Sequence, residues 1–339
     1  MPAPSHMRVT KEISRPEILF SVAHDATTGY AYAGASDHQV YAWDLAAEKP
    51  EAVPMSGHES YVTSLVVAGP RLVSGGFDGC LIWWDLGTRE AIRKVPAHGR
   101  WIRKLAVSPD GKRLASVADD MVCRVWDTES GQLVHELKGH AEKTPHHFPS
   151  MLYACTISPD GRLLATGDRV GHNVIWELET GKQLAAVETP VMYTWDATQR
   201  IHSIGGVRSL AFSPDGKVLA VGGTGKIGNI DHLEALARVE VFAWEKAERT
   251  HEFPGDTYKG LTERLQFHPT GQWLLGAGGD HGGYYQFFDL QANKIDKQDK
   301  APMHVHDFVL DATGQTIYAA GHGRLLVWSL TEEVKPAAA

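Results

Sequence analysis

The feature that most constrains the fold is a short β-hairpin that recurs along the chain. Its clearest copy occupies residues 113–127, where Leu114 to Ser116 predict one strand and Val122 to Trp126 predict the next. The polar pair Asp119-Asp120 between them predicts a turn. Residues 108–111, Ser-Pro-Asp-Gly, predict another turn, because proline presets φ and glycine permits a positive φ. A chain built from such units is expected to be all-β.

Copies of the hairpin recur at intervals of 40 to 68 residues, and almost every copy closes on a tryptophan. The closing pairs are Trp43-Asp44, Trp84-Asp85, Trp126-Asp127, Trp176-Glu177, Trp244-Glu245, Phe288-Asp289 and Trp328-Ser329. The Ser-Pro-Asp-Gly turn recurs at 158–161 and 213–216, and Gly-His pairs stand at 57–58 and 139–140. This period, with these dipeptides, is typical of propeller repeats.

On these residues the chain resembles the WD-repeat (WD40) proteins from about residue 8 to residue 330. The resemblance implies a seven-bladed WD-repeat β-propeller of four-stranded antiparallel blades. We expect one domain over residues 8–330, with flexible termini at 1–7 and 331–339. The residues after Trp328 predict no outer strand, whereas residues 8–13 have strand character. We therefore expect an N-terminal strand to complete the last blade and close the ring.

The resemblance also implies a buried tetrad of His, Ser or Thr, Asp and Trp in the regular repeats. These tetrads are His58, Ser74, Asp78 and Trp84 in the second repeat, and His98, Ser116, Asp120 and Trp126 in the third. A buried indole N–H needs an acceptor and a carboxylate can orient an imidazole, so these histidines are interpreted as structural. In the fourth repeat Asp168 lies two residues farther from its tryptophan than in the others.

Composition narrows the classes of partner. The net charge is −8, from 33 basic and 41 acidic residues, which argues against nucleic acid. No apolar run has the length of a membrane span, and residues 1–14 lack the apolar segment of an export signal, so we expect a cytoplasmic protein without a membrane partner. Cys80, Cys123 and Cys155 include no C-x-x-C motif and predict buried free thiols.

Three insertions interrupt the repeats, at residues 141–150, 188–206 and 222–238. Each blade should contain strands a to d, with strand a innermost. The first two insertions then join strand d to the next strand a, and the third joins b to c. Such loops emerge on one face of a four-stranded meander, so all three are predicted on the same face, here called the top face. Tyr193 and Trp195 of the second insertion are predicted to reach over the channel.

The starts of the a strands supply two columns of side chains that should ring the upper channel mouth. The first column is Tyr61, Trp101, Met151, Gly206, Leu261 and His304, and the second is Thr63, Arg103, Tyr153, Arg208, Glu263 and His306. Aromatic, arginine and methionine side chains are enriched in interface cores. The predicted partner-binding residues are Tyr61, Trp101, Arg103, Met151, Tyr153, Tyr193, Trp195, Arg208, Glu263, His304 and His306. Channel packing is the alternative for each of them.

Other motifs leave weaker alternatives. No nucleophile or zinc-protease motif occurs, so neither catalytic residues nor a cofactor are expected. Residues 223–228 form a G-x-G-x-x-G string before a short helix predicted over 231–238, capped by Asp231. The surrounding repeat, however, makes the flanking strands antiparallel, which excludes a dinucleotide unit and leaves only a weak anion site open. His304 with His306, or His146-His147, could hold zinc, but no third ligand has diagnostic spacing, so no metal is predicted.

The sequence therefore predicts a non-catalytic scaffold that binds a protein or peptide across the top face, within a larger complex. The alternative is a propeller that binds a metal or small ligand, or hydrolyses one, through its His-rich and Gly-rich top loops.

Overall fold

The structure, a computed structural model, describes residues 3–198, 202–229 and 234–332. In these residues the fold is all-β, with 28 strands and three 3-10 helices at Pro4–His6, Pro190–Met192 and Trp244–Lys246. None of the described helices is long and apolar enough to cross a membrane.

The strands are short and follow one another with little intervening chain, as the turn signals predict. In chain order they are β1 (Arg8–His24), β2 (Tyr30–Ala35), β3 (Gln39–Asp44), β4 (Val53–Ser56), β5 (Val62–Ala68), β6 (Arg71–Gly76), β7 (Cys80–Asp85), β8 (Ala91–Pro96), β9 (Ile102–Val107), β10 (Arg113–Ala118), β11 (Cys123–Asp127), β12 (Leu133–Leu137), β13 (Leu152–Ile157), β14 (Leu163–Asp168), β15 (His172–Glu177), β16 (Gln183–Glu188), β17 (Tyr193–Asp196), β18 (His202–Gly205), β19 (Ser209–Phe212), β20 (Val218–Thr224), β21 (Ala237–Ala243), β22 (Glu248–Phe253), β23 (Leu261–Phe267), β24 (Leu274–Gly279), β25 (Gly283–Asp289), β26 (Lys294–Ala301), β27 (Val305–Leu310) and β28 (Thr316–Ser329).

Repeats two to six each form one four-stranded antiparallel sheet. These sheets contain β5 to β8, β9 to β12, β13 to β16, β19 to β22 and β23 to β26, and in each of them chain neighbours are sheet neighbours. The strands β17 and β18 form a separate hairpin within the second insertion. The structure thus has the β-propeller fold with antiparallel four-stranded blades.

The first and last repeats share one six-stranded sheet, in the order β27-β28-β1-β2-β3-β4. The described residues therefore form six blade-like sheets, where the sequence predicts seven separate blades. The difference arises because β1 pairs with both β28 and β2 and so joins the two repeats. In β28 the backbone cannot stay extended throughout, because Gly323 has a φ of 72°. Residues 317–321 before this bend pair with β27, whereas His322 and residues 324–329 pair with β1.

The N-terminal strand closes the ring, as predicted. Residues 8–14 of β1 pair antiparallel with residues 324–329 of β28, in a register that places Arg8 opposite Ser329 and Ser14 opposite Arg324. Ile13 packs against the apolar cluster between these two repeats. Lys11 donates hydrogen bonds to the carbonyls of Leu45 and Ala47, so the same strand also contacts the first repeat. Closure in this manner removes two unpaired sheet edges.

Seven inner strand segments, one from each repeat, surround a central cavity of about 670 Å³. Its lining includes the prolines of the turns that follow the a strands, Pro159, Pro214 and Pro269. These short turns therefore lie at the bottom of the channel. The apolar core lies between neighbouring blades, where each closing tryptophan packs in a mixed cluster from two repeats.

The tetrad side chains meet in repeats two to four. In the second repeat the Trp84 indole N–H donates to the Ser74 hydroxyl at 2.8 Å, and that hydroxyl contacts the His58 Nε2 at 2.7 Å. The His58 Nδ1 lies 2.9 Å from the Asp78 carboxylate. Burial alone would raise the pKa of Asp78, but hydrogen bonds from His58 and from two backbone N–H groups lower it to about 2. An ionised carboxylate thus holds the chain of hydrogen bonds.

The third and fourth repeats contain the same arrangement. Their residues are His98, Ser116, Asp120 and Trp126, and His140, Thr166, Asp168 and Trp176. Asp168 lies farther from its tryptophan because it is the last residue of β14, whereas Asp78 and Asp120 lie in the turn. The hairpin itself has the same length, since Leu164 pairs with Trp176 as Leu72 pairs with Trp84.

The cysteines are all free. Cys123 and Cys155 are buried, and burial raises the pKa of the Cys155 thiol to about 12. Cys80 differs from the expectation because it is partly exposed at the start of β7.

Deletion of residues 1–14 should destabilise the protein, because β28 would lose its outer neighbour and expose an unpaired edge. We expect the thermal midpoint to fall by roughly 5 °C or more, since 1 kcal/mol shifts the midpoint of a domain of 150–250 residues by about 2–4 °C. An unchanged midpoint in calorimetry would show that this strand does not close the ring.

Asp120→Ala should lower the free energy of unfolding by about 1–3 kcal/mol, because it leaves the buried His98 without its acceptor. Glu48→Ala, at an exposed position, is the control and should cost about 0.5 kcal/mol or less. Urea titration of both variants measures the difference, and equal effects would contradict a structural role for the third tetrad.

Candidate interaction site at the channel mouth

The second column of predicted residues converges on the upper channel mouth. All six of its members line one cavity of about 260 Å³: Thr63, Arg103, Tyr153, Arg208, Glu263 and His306. Phe20, Phe77 and Lys104 complete the lining. Phe20 is the first-repeat member of the column, which the sequence alignment lacked. Except for Phe77, which lies in the turn after β6, each of these residues stands near the start of an inner strand segment, so the ring follows from the arrangement of the blades.

An ion triad lies beneath this cavity, with its carboxylate buried and its two basic side chains partly buried. The Lys104 ammonium lies 3.0 Å from the Asp307 carboxylate on the last repeat, and the Arg264 guanidinium lies 3.4 Å from the same oxygen. Burial lowers the pKa of Lys104, and the Asp307 charge opposes this effect. Lys104 lines both this cavity and the central cavity below it, and Arg264 and Asp307 line the central one, so the triad lies where the two cavities meet. No repeat pattern in the sequence predicts this triad, because none of its three residues recurs between repeats.

One side of the mouth carries an exposed aromatic shelf. Trp101 is 49% exposed and stacks on Phe77 with ring centroids 4.4 Å apart. Tyr61 is 41% exposed and lies 5.8 Å from Phe77 on its other side. We call Tyr61, Phe77 and Trp101 the aromatic shelf. Phe77 was absent from the predicted site, although it joins the two predicted aromatics.

The two arginines of the ring are held by neighbouring groups. Arg103 makes two hydrogen bonds of 2.7 Å to Asp119, and its guanidinium lies 5.2 Å from the centre of the Trp101 ring. Arg208 lies 3.9 Å above the ring of Tyr153. Asp119 therefore balances the positive charge of Arg103. The main contribution of the Arg103 side chain to this surface is to hold the Trp101 ring of the shelf in place.

The remaining first-column residues differ in what they offer. Met151 accepts a hydrogen bond from the Tyr153 hydroxyl at 3.0 Å, and Leu261 is half-buried. Gly206 is buried with a φ of 116° and presents no side chain to the mouth. His304 lies beside Glu263, with 3.9 Å between its Nε2 and the carboxylate.

The top-face insertions pack on one another rather than across the ring. The Tyr193 hydroxyl lies 2.9 Å from the His146 Nδ1, and Trp195 stacks on His146 at 4.2 Å. The ring centroids of Phe148 and Trp195 lie 5.4 Å apart. Tyr193 and Trp195 thus join the first two insertions, and these contacts do not place them over the channel as predicted.

The glycine-rich third insertion continues the same cluster. The Ile227 N–H donates to the Thr194 hydroxyl at 2.9 Å. The flanking strands β20 and β21 are antiparallel, which excludes a dinucleotide-binding unit. The predicted cap Asp231 lies outside the described residues. The helix prediction is wrong at its C-terminal end, because Ala237 and Arg238 belong to β21.

A third ring of residues, in the turns beside the first column, was not predicted from the sequence. Phe77, Asp119, Arg169 and His322 occupy the turns between strands b and c. Each donates its backbone N–H to the carbonyl of the first-column residue in its own repeat: Tyr61, Trp101, Met151 and His304. The available signal was position, since Phe77 and Asp119 directly precede the tetrad aspartates. His304, His306 and His322 are the described residues that could together hold a metal ion.

Comparison with known proteins agrees with the fold. The family model "WD domain, G-beta repeat" matches residues 49–85, 89–127, 131–176 and 197–227. These segments cover the regular second to fourth repeats and reach into the fifth.

The chain is similar to segments of several longer proteins. It is 30% identical over 188 residues to apoptotic protease-activating factor 1 of Rattus norvegicus, covering 55% of the chain and 14% of that protein. It is 28% identical over 255 residues to telomerase protein component 1 of the same species, covering 75% of the chain and 8% of the relative. Protein groucho of Drosophila melanogaster is 26% identical over 287 residues, covering 82% of the chain and 34% of that protein. The chain therefore contains WD40 repeats and has the β-propeller fold.

Proposed function

We propose that this protein is a non-catalytic interaction scaffold that binds a peptide segment of a protein partner at the upper channel mouth. The observation that carries the proposal is the convergence of the second-column side chains on one opening, directly beside the exposed aromatic shelf. The partner would insert one side chain into the mouth, and the neighbouring residues of the partner would cover the shelf.

The shelf has the properties of a binding hot spot. Tryptophan and tyrosine dominate such sites, because they bury a large area with few rotatable bonds. The Trp101 ring is already fixed by Phe77 on one face and by the Arg103 guanidinium nearby, so little side-chain entropy is lost when a partner covers it.

The size of the mouth favours a peptide over a small-molecule ligand. Its volume of about 260 Å³ lies below the range of roughly 300–1,000 Å³ that is usual for ligand pockets. The ion triad beneath it prevents deeper insertion. A side chain fits this depth, and the rest of the affinity would come from the surrounding shelf.

The relatives support an interaction role. One of them is named as a component of telomerase, which is a part within an assembly. Because the chain spans only a small share of these relatives, their activities are not transferred to it.

Trp101→Ala should weaken binding of the partner by roughly thirtyfold or more, which corresponds to about 2 kcal/mol at a central hot spot. The thermal midpoint should change little, because Trp101 is half exposed. Calorimetric titration with the partner, identified first by affinity purification, provides the measurement. Arg103→Ala is less clean, because it also leaves Asp119 without its ion pair.

Ile92→Ala is the matched control. Ile92 is 50% exposed, like Trp101, but lies on the outer strand β8. Lys112→Ala and Arg162→Ala alter exposed side chains in the bottom turns. These three variants should keep the affinity of the wild type. Loss of binding in the bottom-turn variants, with full binding by Trp101→Ala, would contradict the proposed site.

A further inference from the structure

Three histidines meet at the edge of the channel mouth, separated from the aromatic shelf by the Phe20 ring. One potential ligand nitrogen from each of His304, His306 and His322 lies within 4.8 Å of the others. Their ring centroids are 4.4 to 5.0 Å apart. His304 and His306 flank the start of β27, whereas His322 lies at the bend of β28. Because both loops emerge on the top face, the three rings are neighbours in space though not in sequence.

The hydrogen bonding of His304 prepares it to bind a metal. Its Nδ1 lies 2.8 Å from the carbonyl oxygen of Asp280, so Nδ1 carries the proton and donates it there. The Nε2 atom then has a free lone pair directed into the cluster. A backbone carbonyl that fixes the tautomer of a ligand histidine is a common feature of metal sites.

Two ring nitrogens of the cluster lack another explanation. Among the described residues, Nε2 of His304 and Nε2 of His306 are buried without a hydrogen-bond partner. Buried polar atoms are nearly always satisfied, so an unpaired pair in one cluster indicates a missing ligand.

We propose that His304, His306 and His322 bind a zinc ion at the channel mouth, with Glu263 as a neighbouring carboxylate. Zn²⁺ takes imidazole and carboxylate ligands in tetrahedral geometry with Zn–N bonds of about 2.0–2.1 Å, which places ligand nitrogens roughly 3.3 Å apart. The three nitrogens now lie within 4.8 Å of one another, so the rings would have to rotate to reach that distance. The Glu263 carboxylate lies 3.9 Å from the His304 Nε2 and supplies negative charge beside the cation.

The site does not depend on the proposed peptide partner. Its test reads metal content and metal affinity, so it can fail while the interaction site stands, and the reverse also holds.

The experiment is zinc titration of the metal-free full chain, produced without a polyhistidine tag. After treatment with a chelator and its removal, isothermal titration with zinc chloride should give one site per chain. Mass spectrometry of the folded protein should then find one zinc atom. Cobalt substitution should give the visible absorption bands of a tetrahedral site, which distinguishes defined coordination from loose surface binding.

His322→Ala is the main variant, because His322 is exposed and its loss should leave the fold intact. We expect at least a tenfold loss of zinc affinity with an unchanged circular dichroism spectrum. Glu263→Gln tests the carboxylate and should weaken binding less than the histidine variant.

His281→Ala is the matched control, since its side chain is 92% exposed and adjacent in sequence to Asp280 but is not one of the three. It should bind zinc like the wild type. The proposal is overturned if the wild type binds no zinc, or if His322→Ala retains the affinity of the wild type.

Discussion

The pairing of the first strand with the last is the interaction on which the rest of the structure depends. Residues 8–14 supply the outer strand beside residues 324–329, and the same strand continues inward to pair with β2. A single element therefore bridges the two ends of the repeat array. Without it, the array would have two open edges, and only contacts of the inner strands would hold the first and last repeats side by side.

The repeats joined by this closure also position the residues of the proposed functional surface, through contacts in the channel. Asp307 on the last repeat accepts a hydrogen bond from the Val22 backbone N–H on the first and an ion pair from Lys104 on the third. These contacts fix the floor of the mouth. Above them, Phe20 lies 5.3 Å from His306 and 5.5 Å from Tyr61, so the joined repeats also link the histidine cluster to the aromatic shelf. Both proposed sites thus stand on the closing junction.

Much of the fold was predictable, because its determinants repeat. Trp84 and Trp126, with their tetrad partners, mark the same place in successive blades, and the Ser-Pro-Asp-Gly turns mark the bottom of the channel. The merging of the terminal repeats into one sheet was not predictable, because it depends on how far β1 remains extended. Periodicity places strands, but the continuity of hydrogen bonds between them is a tertiary property.

The candidate site was predicted only in part, for a related reason. The second column follows from the start of each inner strand, so Thr63, Tyr153 and Glu263 could be aligned and do share one opening. The turn residues Phe77 and His322 could not be aligned in this way, because the residues that they contact come from other strands. Tyr193 lies in an insertion whose packing against His146 no repeat pattern encodes. The sequence therefore predicts which side chains the repeated strands place at the mouth, whereas contacts between different repeats and insertions are visible only in the structure.

Amide hydrogen exchange across the first strand tests the closure of the ring most directly. If residues 8–14 pair with β28 in solution, the amides among them that face β28 should exchange as slowly as those of the interior strand β7, because both open only when the propeller unfolds globally. The peptides covering residues 8–14 and Cys80–Asp85 can be compared in one experiment by mass spectrometry. Exchange of the first peptide within seconds, with β7 still protected, would contradict the account.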